Sequence, residues 1–168
     1  MPLLKDGAFA DDPWVHVSDD DDLPASGPVI VSLKRWRDQR SALMGRGSQV
    51  GLRLTSEQTP GQVKDDLRHF GVVALDFPAF TDGRPFSNAR RLRDRYNYQG
   101  EVRAVGDIFR DQYWHLKRCG FDAIEVVDGE TVAGWTSAVD AISTPYQSAS
   151  DGGETVLSLR QRRAAAGQ

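Results

Sequence analysis

A single cysteine, Cys119, in a chain of 168 residues leaves nothing for an internal disulfide, a CxxC redox pair or a cysteine zinc cage. The three histidines, His16, His69 and His115, fall on different segments with no HxxxH or HxH spacing, so no metal site is expected. No apolar run is long enough to span a bilayer, and no basic stretch followed by an apolar one opens the chain; the expectation is a cytoplasmic protein with no membrane partner. A basic excess is missing too. Lys+Arg 21 against Asp+Glu 24 gives net charge -3, without the electrostatic footprint of a nucleic-acid binder. Gly45-Arg46-Gly47 precedes a strand instead of following one and there is no GxxxxGK[ST], so no motif for NAD, flavin, haem or an iron–sulfur cluster is present.

What the chain does contain is enough apolar residue, 39% beside 27% charged, for one domain with a core. Five apolar runs read as strands: Val29 to Leu33, Val50 to Leu54, Val72 to Phe77, Val102 to Val105 and Ala123 to Val127. Between them lie helical patterns over Trp36–Met44, Thr59–Phe70 (stopped by Gly71), Asn88–Tyr96 and Ile108–Cys119, with a last helix over Val132–Ile142. Strands alternating with single helices predict an α/β fold of about five parallel strands joined by right-handed crossovers. Residues 1–28 form an acidic arm, with a short edge strand around Trp14–Val17 between Asp11, Asp12 and the run Asp19–Asp22; residues 29–142 form the βα-repeat domain; 143–168 form a polar tail in which Leu157 and Leu159 alternate like a short strand. The aspartates read as a solvated loop or as an acidic docking arm.

Arg53, Asp76, Arg103 and Glu125 each sit near the C-terminal end of a strand. In a doubly wound sheet such a row is buried at high cost; in half of a (βα) barrel, helices outside only, it lines the concave side. The half barrel is favoured over the open doubly wound sheet, its opening covered by the terminal segments or by a second copy, and a homodimer is left open. Asp76 and Glu125 are the carboxylates best placed for general acid or base work, because burial at the end of an apolar strand raises a carboxyl pKa.

A ligand site is expected along FTDGRPFSNARRLRDRYNYQGEVRAVGDIFRDQYW. In parallel α/β folds ligands gather at the C-terminal ends of strands, where Asp82-Gly83 turns the chain and Ser87 caps a helix. Arg84, Arg90 and Arg91 then crowd the positive end of that helix, a mismatch that a sulfate, phosphate or carboxylate relieves. Asp107, Arg110, Asp111 and Gln112 follow the next strand, with Asp107 as a helix cap, and Arg103 joins the same candidate set. The competing reading pairs Arg84 with Asp82 or Asp76, and Arg90 and Arg91 with Asp94, Glu101 or Asp107.

The DGR-x-[YF]-S-x-AR-x-LR run, the GD-x-x-RDQ run and the later RCGFDA resemble a bacterial family of unknown-function proteins that carries an oxidoreductase label linked to sulfite reduction. The resemblance covers roughly Trp14 to Gln147, with Phe86 where the family often has tyrosine. It implies an auxiliary protein of assimilatory sulfate or sulfite reduction, serving sulfide production for cysteine; the basic cluster at the helix end adds the expectation of a small oxyanion held by Arg84, Ser87, Arg90, Asp107 and Arg110. A noncatalytic module that docks on sulfite reductase or its electron donor, and an enzyme acting on a small anionic metabolite, are the alternatives; no particular reaction is implied.

Overall fold

The computed structural model describes residues 2–127, 129–140, 149–150 and 154–166. Its strands are β1 (Leu3–Lys5), β2 (Ala8–Ala10), β3 (Val15–His16), β4 (Val29–Ser32), β5 (Val50–Leu54), β6 (Phe70–Phe77), β7 (Glu101–Gly106) and β8 (Ala123–Glu125). They make one eight-stranded sheet in the order β2-β1-β8-β7-β6-β5-β4-β3. From β3 to β8 neighbours are parallel and follow the chain, while the β1–β2 hairpin joins β8 antiparallel. Helices α1 (Leu33–Met44), α2 (Arg84–Arg90), α3 (Tyr113–Arg118), α4 (Val132–Asp140) and α5 (Val156–Ala166) complete the chain. Crossovers that always advance to the next strand with the same hand put their helices on one face.

Period-two alternation sorts the strand residues between the two faces. Val29, Val31, Leu52, Leu54, Val73, Leu75, Phe77, Val102, Ala104 and Ile124 pack against Leu33, Trp36 and Leu43 of α1, Ala89 of α2 with Leu92 of the following turn, and Leu116 of α3 in the main core. The opposite face carries a smaller apolar cluster of Ile30, Val72, Ala74 and Val105, roofed by Trp14. Gly51 and Gly71 allow that roof: a Cβ there would come within 3.2 and 3.0 Å of the indole.

The sheet is strongly curled. β3 and β8 stand five ladder steps apart, about 24 Å if flat, yet His16 Nε2 lies 2.7 Å from Glu125 Oε1. After β2, residues 11–17 cross the concave face as a strap. Asp12 reaches Arg103 on β7 with contacts of 2.7 and 3.1 Å. Trp14 lies over β6 and β5, and β3 pairs with β4 at the far edge. A terminal segment therefore covers the opening of a half barrel.

Several sequence expectations are corrected. The sheet has eight strands instead of about five and is not purely parallel, because β1 and β2 are too short and too weakly patterned to stand out. The segment 59–70 forms 3-10 turns at Pro60–Val63 and Leu67–His69, and Gly71 lies inside β6, where the approach of Trp14 needs a residue without Cβ. Residues 156–166 are helical, so Leu157 and Leu159 are not strand residues: reciprocal bonds between Thr155 and Ser158 start a turn that the good helix formers behind it extend. The end of the helix expected to reach Ile142, and most of the polar tail before α5, lie outside the described residues. No helix among the described residues is long and apolar enough to cross a membrane.

Candidate functional site

The loops leaving β5 and β6 meet at the C-terminal rim of the sheet, because those strands are neighbours. Between them is a recess of about 500 Å³ lined by Ser56, Glu57, Thr59, Arg84, Ser87, Asn88 and Arg91. Arg84 starts α2, with Gly83 at the cap position, and the Asp82 carboxylate accepts its backbone N–H at 3.0 Å. Pro85 in the first turn has no N–H to satisfy. The helix therefore begins before Ser87, which lies within it and is not a cap.

The Asp82 carboxylate also accepts from the Arg84 guanidinium, at 2.7 Å from Nη2, and Nη2 donates to buried Ser56 Oγ at 2.8 Å. These hydrogen bonds hold the Asp82 carboxyl well below the usual carboxylate range. Glu57, 83% exposed on its side chain, is only loosely paired with Arg84 at 4.0 Å. Arg91 donates to Asn88 Oδ1 at 3.3 Å and has no carboxylate partner among the described residues. Asn88 is itself buried and donates to the Gln58 carbonyl.

The other expected ligand residues stand elsewhere. Arg90 points to Asp94, 3.7 Å away and one turn on. Arg110 pairs with Glu130 at 2.5 Å and lies against Gly134 of α4. Asp107 is not a helix cap; its carboxylate accepts the Phe80 N–H at 3.0 Å. Gln112 donates to the Phe80 carbonyl at 2.9 Å and accepts the Phe109 N–H at 3.0 Å. Asp107 and Gln112 thus clamp the loop after β6 to the loop after β7, and Asp111 is exposed beside them. Arg93 does related work: its guanidinium bonds the Gly120, Tyr98 and Gly100 carbonyls and Asp122. The sequence runs that carried the resemblance thus interlock through Arg93, Asp107 and Gln112.

Arg103 lies on the concave face, fully buried, with Asp12, Glu101 and Glu125 within 2.7, 2.8 and 3.0 Å. Arg53 and Asp76 pair beside it at 2.7 Å. The expected row of charges is thus on one face and internally paired, apart from the rim recess. Burial pushes the Glu125 carboxyl up, but hydrogen bonds and charge from His16, then Arg103, outweigh it and leave the group below its ordinary value. That is opposite to the shift expected from burial alone. Among the described residues, no group of three or more His, Cys, Asp or Glu is arranged to hold a metal ion.

Ser56, Glu57, Thr59 and Asn88 are recess residues that the sequence reading did not single out. Only the side-by-side placement of β5 and β6 brings Ser56, Glu57 and Thr59 to α2, and no spacing motif marks a contact across 28 residues. Asn88 had a weaker signal, lying between Ser87 and the arginines of the same run.

No curated protein and no solved structure matches the chain. The model of a family described as bacterial protein of unknown function (DUF934) matches residues 51–157, from β5 through the rim recess and both clamped loops into α5. The chain belongs to this DUF934 family of bacterial proteins of unknown function.

Proposed function

We propose that this protein is an auxiliary component of assimilatory sulfate and sulfite reduction that holds a small oxyanion in the rim recess. The observation that carries the proposal is the convergence of Arg84 and Arg91 with the hydroxyls of Ser56, Thr59 and Ser87 on one cavity at the C-terminal strand ends. Its volume suits a ligand of sulfite, sulfate or phosphate size with its water. Asp82 and Ser56 fix one guanidinium and Asn88 orients the other, so ordering two flexible side chains costs little at the moment of binding. An incoming anion replaces the loose Glu57 contact, and the hydroxyls donate to its remaining oxygens. The link to sulfur assimilation is supported by the resemblance of the DGR and GD-x-x-RDQ runs.

Titration calorimetry with sulfite, sulfate and phosphate tests the reading. Binding of at least one of the three is expected, weakened about tenfold or more by Arg91→Ala or Arg84→Ala, as for loss of a charge-assisted hydrogen bond. Absence of heat with all three anions overturns it.

A further inference from the structure

Helix α5 (Val156–Ala166) is unlike the other helices in having almost no packed side. Thr155 and Ser158 exchange hydrogen bonds at its start, and Val156 and Leu159 are half-buried, but Leu157 is 60% exposed. From Arg160 through Ala165 every residue is exposed. An isolated helix below about 12–15 residues is marginal in water, and the exposed turns of this one gain no stability from packing. Its exposed turns carry Arg160, Arg162 and Arg163, of which only Arg162 has a partner, Glu154 at 2.7 Å. The others have none among the described residues.

The same chain offers a complementary surface at the opposite end of its sequence. Asp19, Asp20, Asp21 and Asp22 are all exposed on the loop between β3 and β4. Asp19 accepts a hydrogen bond from Ser32, while Asp20, Asp21 and Asp22 make no ion pair among the described residues. We infer that α5 docks on the Asp19–Asp22 loop of a second copy of this chain, three arginines facing four aspartates. The charge pattern selects this occupant over nucleic acid, because the chain's net charge of -3 repels a polyanion while leaving a local contact of opposite signs intact. Both surfaces are solvated in the single copy, so the contact is weak, fast and salt-sensitive.

Sedimentation velocity tests this on the wild type and two charge-reversed variants, Arg160→Glu/Arg162→Glu/Arg163→Glu and Asp20→Lys/Asp21→Lys/Asp22→Lys. The salt is set at about 20 mM and about 500 mM, where the screening length falls from roughly 20 Å to roughly 4 Å. The wild type is expected to exceed the 18.6 kDa of one chain with rising concentration at low salt and return to it at high salt. Each variant alone is expected to stay at the mass of one chain, and an equimolar mixture of the two to associate again, because reversed helix then meets reversed loop. A wild type that stays single at low salt, a variant that associates like the wild type, or a mixture that fails to associate overturns the inference. Far-UV circular dichroism like the wild type's shows that the variants are folded.

Discussion

At the scale of single residues, Arg103 shows how a buried charge is tolerated. Its guanidinium is shut off from solvent, and that burial favours loss of its charge; hydrogen bonds to Asp12 and Glu125 and the charge of Glu101 outweigh it. Replacing it with a hydrophobic residue of similar length removes the centre and leaves three carboxylates facing one another. Arg103→Met is therefore expected to destabilise the fold by about 3–5 kcal/mol, as for the broken half of a buried ion pair, measured by urea denaturation. A loss under about 1 kcal/mol, the range of an exposed pair, would contradict this account. Gly106 is constrained differently. Its φ is +101° and a Cβ would stand 2.4 Å from the Phe77 carbonyl oxygen, the same oxygen that accepts the Asp107 N–H. The backbone turn that aims Asp107 at Phe80 thus needs glycine.

At the scale of elements, the strap of residues 11–17 is tied to the sheet by ionisable groups, so its attachment depends on pH. Glu125 has a folded-state pKa lowered from its ordinary value. The unfolded chain therefore takes up the proton first as pH falls. The stability this group contributes is complete above the ordinary carboxylate value, about 4.3, and is lost as pH drops through the lower folded value. Asp66, held down by Arg40, shares that sign, with burial opposing and the Trp36 indole adding to the effect. Urea midpoints measured from pH 6 downward are expected to fall below about pH 4.5, with a shallower fall in Glu125→Gln. An identical pH slope in that variant and the wild type would show that Glu125 does not couple the strap to acid.

At the scale of the whole molecule, the sheet is sequential from β3 to β8, but what closes it is remote. Asp12 and Arg103 are 91 positions apart, and His16 and Glu125 are 109 apart. Contacts of such separation repay their loop-closure entropy late in folding. Asp12→Ala is therefore expected to speed unfolding with little change in the refolding rate, read from the two arms of a denaturant chevron. A slowed refolding arm would place the strap in the nucleus instead. The same separation explains which features were legible in one dimension. The five apolar runs, the α/β class and the face-sharing of Arg53, Asp76, Arg103 and Glu125 follow from local periodicity, because alternation along a strand assigns side chains to faces before any packing is known. Ser87 does not cap α2 because the Asp82 side chain and Pro85 together start the helix ahead of it. Which arginines stay at the recess was settled only in three dimensions: Arg84 and Arg91, seven residues apart on one helical face, meet Ser56 and Thr59 because β5 lies beside β6, while Arg90, Arg103 and Arg110 take carboxylate partners supplied by other elements or by the next helical turn. The order of apolar runs determined an α/β fold of βα units, and the charges on its strands favoured a half barrel over a doubly wound sheet without deciding between them. Tertiary structure decided how its charges pair, since a guanidinium goes to whichever carboxylate the neighbouring strands and loops bring within reach, and that distance is not written in sequence spacing.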